Sequence, residues 1–329
     1  MSIIAEGACF RTHPLCVREK AMFATDNIFK TICLICAGLI GLLMIGFFVQ
    51  LAFSSVGAWK EFGLAFLWSS EWDPVSEKFG ALPSIVGTLL TTTIALVIAL
   101  PLSFVSAFYL VDLPVAIGKI LSQALDLLAT IPSIIYGMWG LFILAPIMQN
   151  YVQPFMVDTL RLGDIPIIGR FLGEDYNGFG FFTAGLILSL MILPYICAIM
   201  RDIFAMTPPM LRESAYGVGC TKWETTKDIV VRYGIRGLLG GVFIGLGRAL
   251  GETMAVLFVI GNMTQLPSAL FDSGTTIAAT LANNFPEAAG VQQSVLFALG
   301  LILLTMSFGI QVFAQWYLNT TSAKRGEER

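Results

Sequence analysis

Charge is scarce in this chain: Asp, Glu, Lys and Arg make up 12% of its 329 residues, against roughly 25% in an ordinary soluble domain. So few charged groups exclude a water-soluble protein. The 19 basic and 22 acidic residues leave a net charge of -3, so no basic field exists for nucleic acid, and no nucleic-acid partner is expected. A single histidine, His13, excludes a histidine-rich metal cluster, and no metal site is expected. Cysteine is also sparse. Cys33 and Cys36 have redox-like or zinc-like spacing, but they lie inside an apolar run, where a thiol behaves as a small hydrophobe, and no second pair completes a site. None of Cys9, Cys16, Cys33, Cys36, Cys197 and Cys220 falls in a segment assigned below to the external side, so disulfides are not expected.

Apolar length is what the chain has. Hydrophobic residues make up 56% of it, and charge-free runs extend over Thr31–Trp59, Phe79–Val111, Leu127–Val157, Tyr176–Met200 and Ala288–Ala323. Each exceeds the ~20 residues that cross a bilayer. The first is also too long for the core of a signal peptide and reads as an uncleaved helix. The expected fold is an all-α polytopic membrane protein with six transmembrane helices surrounded by membrane lipid. In this reading a polar, aperiodic tail occupies 1–27, with Met1 and Met22 both open as the start. The helices cover about 28–59, 82–111, 120–145, 181–200, 237–262 and 293–318. Residues 60–80, rich in acidic and aromatic side chains, form an interfacial loop. The glycine-rich stretch 146–180 forms an external loop, and 201–236 a charged soluble one. In the polar loop 263–292, the apolar piece 276–285 is a candidate to dip back into the membrane. Residues 81–318 form a core of five helices, and 319–329 a second tail. With both termini inside, cytoplasmic segments hold 14 Lys and Arg and external ones 4, the bias that the positive-inside rule demands.

Two charges interrupt the fifth helix. Arg248 and Glu252 are four residues apart near the middle of an apolar span, where an ionised side chain costs roughly 2.5 to 3.5 kcal/mol on insertion scales. At about 100° per residue, Gly237, Gly241, Gly245, Arg248 and Glu252 all fall within a stripe about 80° wide. Glycines spaced by four let another helix approach closely, so the pair is expected to face a helix interface or a lumen. One reading is a packing salt bridge. The other is an anion site, because a guanidinium offers a planar fork that matches phosphate or sulfate.

The charged loop carries Leu211-Arg212-Glu213-Ser214-Ala215-Tyr216-Gly217-Val218-Gly219. Glu213, Ala215 and Gly219 resemble the Glu-Ala-Ala loop of ABC importer permeases, with Ser214 in place of the first Ala and Val231-Arg232 where that loop usually ends in Leu-Pro. Three further blocks, Glu61 to Trp68, Ile131 to Phe142 and Gly245 to Val256, resemble the permease subunits of phosphate-specific ABC importers of type I fold. The likeness runs from about Ile28 to Leu318. It implies a transport subunit rather than an enzyme, moving inorganic phosphate. It also implies a sister permease (PstA), a dimer of ATPase subunits (PstB) and a periplasmic phosphate-binding protein (PstS). Glu213, Ala215 and Gly219 would couple to the ATPase, and Arg248 with Glu252 would lie on the phosphate path. The sequence itself contains no Gly-x-x-x-x-Gly-Lys-[Ser/Thr], so ATP and Mg are expected on the partner and no cofactor on this chain.

Rival readings stay open at this point. A permease of the same fold for sulfate or molybdate would differ only in pocket chemistry. A membrane enzyme would need a nucleophile and base, and Ser133 and Tyr136 have no nearby base. A channel or secondary transporter would work without an ATPase.

Overall fold

The computed structural model describes residues 14–159, 169, 172–173 and 176–326. Cys9, His13, much of the glycine-rich external stretch and the last residues lie outside these. The chain divides into a first unit that ends at Phe53 and a second that begins at Ser54. Among the described residues the first is helix α1, Pro14–Ser54, whose last residue opens the second unit. Its start differs from expectation, because 14–27 is helical and not part of an aperiodic tail. Pro14 suits a first helical position, and no glycine or proline follows before the apolar run.

In the second unit, α2 (Val56–Phe62) passes through a tight turn, Gly63–Leu67, into a hairpin of β1 (Trp72–Asp73) and β2 (Lys78–Phe79). Trp72 pairs with Phe79 and Asp73 with Lys78. This segment was expected as a loop, but its own aromatics fold it. Trp59 packs edge-on against Phe66 at 6.0 Å and Trp72 against Phe79 at 5.2 Å, and Phe66 and Phe79 are buried.

Helix α3, Leu82–Asp112, carries Pro101 in its interior. The expected third helix is two. α4 (Val115–Thr130) stops where Ile131, placed before Pro132, turns extended, and a new span, α5 (Ser133–Asp158), begins. The residue before a proline is pushed out of helical geometry, so the break belongs at Ile131. α5 then continues with π-type turns well beyond Pro146, which lies in its interior. The external stretch therefore starts later than expected.

α6 (Phe181–Ala205) is followed by α7 (Pro209–Gly217) and α8 (Lys222–Leu250). Most of the supposed soluble loop 201–236 is thus helical. The reason is a capping box: the Thr221 hydroxyl accepts from the Glu224 N–H, and the Glu224 carboxylate accepts from the Thr221 N–H at 2.8 Å. α9 (Met254–Leu257), α10 (Ile277–Asn284) and α11 (Val291–Gly326) complete the order. α11 carries helix into residues expected as tail. Among the described residues, six helices are long and apolar enough to cross a membrane.

α6 is the central element. Ile187, Leu188, Ile192 and Ile196 on it are fully buried, in one core with the small residues Ala95, Ala99 and Ala107 of α3. Ser103 of α3 donates to the Leu193 carbonyl beside Pro194, at 3.1 Å. α10, the piece expected to dip inward, is buried against α3 and α11. Its Ile277 N–H donates to the Thr88 hydroxyl at 3.0 Å, and Thr280 shares a 3.0 Å bond with Ser84.

Candidate functional site

The glycines of α8 seat it on α6. A Cβ at Gly237 would stand 2.7 Å from Ile203, at Gly241 2.8 Å from Ile199, and at Gly245 2.7 Å from Ile196. The three isoleucines fill the groove that the missing side chains leave. The expected helix–helix stripe is therefore internal, with α6 as its partner.

Arg248 lies beyond that stripe, in the last turn of α8, and the geometry differs from expectation. The helix ends at Leu250 and Gly251 caps it, so Glu252 is outside α8 and not one turn above Arg248 on a common face. The Glu252 carboxylate instead accepts from the Ala255 N–H at 3.1 Å and so starts α9. A side-chain acceptor that satisfies a free helix N–H competes with continuing the previous helix. Among the described residues, no carboxylate forms an ion pair with Arg248; the salt bridges present all lie elsewhere. The proposed Arg248–Glu252 pair is thus absent.

Arg248 has an aromatic partner instead. Its guanidinium carbon sits 4.1 Å over the ring of Tyr195, on α6. Its Nε is buried with no hydrogen-bond partner. The Tyr195 hydroxyl donates to the Ala129 carbonyl at 2.5 Å, and the Tyr136 hydroxyl of α5 donates to the Leu128 carbonyl at 2.9 Å. Two tyrosines thus close the last turn of α4, where a helix leaves carbonyls unpaired. Gly137 brings α5 close to α9: a Cβ there would lie 2.8 Å from the Met254 carbonyl. Tyr195 therefore links Arg248 of α8 to α6 and α4, and Tyr136 ties α5 to the same end of α4. Sequence reading missed Tyr195, although a tyrosine deep in a span, away from the interfacial aromatic belt, is itself a signal.

The other cluster lies at the α6–α7–α8 turn. Glu213 is exposed. Ala215 is 3% exposed and packs inside this chain, so its small size serves the seating of α7. Gly219 is exposed at φ 91°, with nothing within 4 Å of a would-be Cβ. It reverses the chain between α7 and α8, a conformation glycine adopts without cost. Arg212 donates to the Phe204 carbonyl, Lys222 pairs with Asp112 at 3.6 Å, and Trp223 packs edge-on against Phe104 and Phe108. The first contact ties α7 to the end of α6, and the other two tie the start of α8 to the end of α3. Met206, Met210 and Val218 meanwhile stand more than 70% exposed around Glu213.

Residues 99–319 match the model of the binding-protein-dependent transport system inner membrane component family. The chain belongs to that family of permeases. It is a multi-pass inner-membrane component of a transport system. It is 43% identical to the phosphate transport system permease protein PstC of Haemophilus influenzae over 303 residues, covering 92% of this chain and 96% of the relative. It is 46% identical to PstC of Mesorhizobium japonicum, covering 94% of both. The likeness reaches an archaeal relative, the probable PstC of Methanocaldococcus jannaschii, at 34% identity over 84% of this chain and 87% of the relative. Among solved structures, the permease fold recurs in a bacterial alginate ABC transporter, with a TM-score of 0.56 at 16% identity, over 90% of this chain and 93% of that one.

Proposed function

We propose that this chain is the transmembrane permease subunit of an ATP-driven importer that carries inorganic phosphate from the periplasm to the cytoplasm. The identity to PstC proteins supports the substrate class. The observation that carries the site is Arg248: a half-buried guanidinium within the helical bundle, with no carboxylate partner and a buried, unpartnered Nε. A lone cation in a low-dielectric setting is costly unless an anion or water meets it. A passing phosphate is such an anion, and the guanidinium fork matches two of its oxygens. Because Arg248 rests on a ring, an arriving anion does not have to displace a bound carboxylate. Glu252, held by the Ala255 N–H, stays near the path as a fixed negative charge that opposes tight retention.

Coupling in this reading runs through α7. Glu213 and the apolar side chains around it face outward for an ATPase of the PstB type, which binds ATP and Mg; no cofactor sits on this chain. Arg212 and Ala215 fasten α7 to α6 and α8, the helices that carry Tyr195 and Arg248. A displacement of α7 is thereby passed to the anion contact. A second permease of the PstA type completes the pore, and a PstS-type binding protein delivers phosphate from the outside. Both termini lie in the cytoplasm, as the Lys and Arg distribution requires.

The test is Arg248→Gln in the assembled importer, with membrane level and radiolabelled phosphate uptake measured together. Uptake should fall by at least tenfold at an unchanged level. Wild-type uptake removes Arg248 from the path, and sulfate uptake matching that of phosphate in the unmodified importer removes phosphate as the substrate.

A further inference from the structure

We infer that Tyr195 is the positioning residue that keeps the Arg248 guanidinium fixed and open to an anion, doing with a ring what a carboxylate would do elsewhere. The inference rests on the reading of Arg248 as the anion contact and adds the means by which that contact is held.

An intramembrane arginine needs stabilisation, and the usual source is an acidic partner. A carboxylate would occupy the guanidinium fork and cancel its charge, so an incoming phosphate would have to compete with it. An aromatic face stabilises the cation differently. It covers one flat side of the guanidinium and leaves the in-plane N–H edge, the part that binds oxyanions, unoccupied. Here the guanidinium carbon is 4.1 Å above the Tyr195 ring, while Glu252 is turned away to the Ala255 N–H.

The ring is itself held. Its hydroxyl is bonded to the Ala129 carbonyl at 2.5 Å. The neighbouring Ile196 is fully buried against Gly245, one turn before Arg248. The residue that supports the cation therefore belongs to the same close contact that registers α8 on α6. If the two helices slide, the ring and the cation move relative to each other. The anion contact is thereby tied to the register of the α6–α8 pair.

The experiment uses the complete importer with Tyr195→Phe, Tyr195→Met and each of these combined with Arg248→Gln. Uptake is measured at saturating phosphate and binding protein and normalised to membrane level. A cation–ring contact is worth about 2- to 30-fold in an equilibrium constant. Tyr195→Phe, which keeps the ring, should therefore retain at least half of wild-type uptake. Tyr195→Met, apolar and similar in length, should lose about tenfold. In the Arg248→Gln background, Tyr195→Met should cost nothing more, whereas a purely structural role would lower uptake and membrane level further. Equal activity of the Phe and Met variants overturns the inference, as does an additive loss in the double variant. If Arg248→Gln alone transports normally, the anion reading itself fails. If Arg248→Gln is inactive but Tyr195→Met transports like wild type, only the role of Tyr195 fails.

Discussion

The seating of α8 on α6 can be tested one glycine at a time, because the three positions of the stripe meet isoleucines with different freedom to move. At Gly245 an added Cβ would lie 2.7 Å from both Cδ1 and Cγ1 of Ile196, which is fully buried. At Gly237 it would meet Ile203 at 2.7 Å from Cδ1 and 3.0 Å from Cγ1, and Ile203 is only half-buried, so its end can turn aside. Overpacking in a tight interior costs about 1 to 3 kcal/mol. Replacing glycine by alanine within a helix returns about 0.5 to 1 kcal/mol. Gly245→Ala should therefore destabilise by up to about 2 kcal/mol, and Gly237→Ala should come out near zero. Gly240, on the same helix with nothing within 4 Å of its would-be Cβ, is the control, and Gly240→Ala should stabilise by about 0.5 to 1 kcal/mol. The readout is the denaturant midpoint of the purified importer in detergent, with uptake measured in parallel. Gly241→Leu, which places a large side chain against Ile199, should block assembly outright. A Gly245→Ala protein as stable as the Gly240→Ala control would refute the packing of these helices and the register inferred from it.

At the charged pair, Glu252→Gln should be nearly neutral for stability, since the amide oxygen can still accept from the Ala255 N–H, and it should change uptake less than Arg248→Gln does; equal losses would mean that the two side chains act as a pair. Arg248→Lys should stay poor in uptake assays, because an ammonium lacks the planar fork. At the α7 turn, Ala215→Asp should lower the membrane level, because the site is 3% exposed, whereas Glu213→Ala should leave the level intact and uncouple ATP hydrolysis from uptake. Gly219→Asp should cost about 1 kcal/mol from its positive φ alone. In the hairpin, the Ser76 hydroxyl and then the Val75 N–H hold the exposed Asp73 carboxylate below its usual range. A lowered folded-state value means that the contribution to the turn is present above the ordinary aspartate range and is lost as pH falls through the depressed value. Protection of the Val75 amide should therefore persist below the ordinary aspartate range before it falls, and Asp73→Ala should remove it at every pH.

The spans were legible because hydropathy over twenty residues is a sum, and local errors cancel in it. α3 lies within a residue of its expected bounds. Breaks are single-residue events and were legible only where their chemistry was weighed. Pro132 signals the α4–α5 break, and Thr221-Lys222-Trp223-Glu224 spells a capping box that starts α8 inside a stretch whose charges suggested a loop. Composition pointed the wrong way there, because the ends of spanning helices carry charge without ceasing to be helical. Ala215 was legible as a required small residue but not as to what it packs against, since a spacing in one chain does not say which surface covers it.

The site shows the same limit in sharper form. Spacing of four placed Glu252 above Arg248, an inference that holds only while the helix continues. Gly251 ends α8 one residue too early, and the carboxylate that would have paired with the arginine becomes the cap of the next helix. The break thus converts a salt bridge, which would have stabilised the fold and blocked the guanidinium fork, into an unpaired cation supported by a ring from another helix. Replacing one with the other exchanges Coulombic stability for an unoccupied binding edge. For the anion contact proposed above, that exchange is what matters, since a site already filled by its own carboxylate has nothing to offer an anion that must both enter and leave.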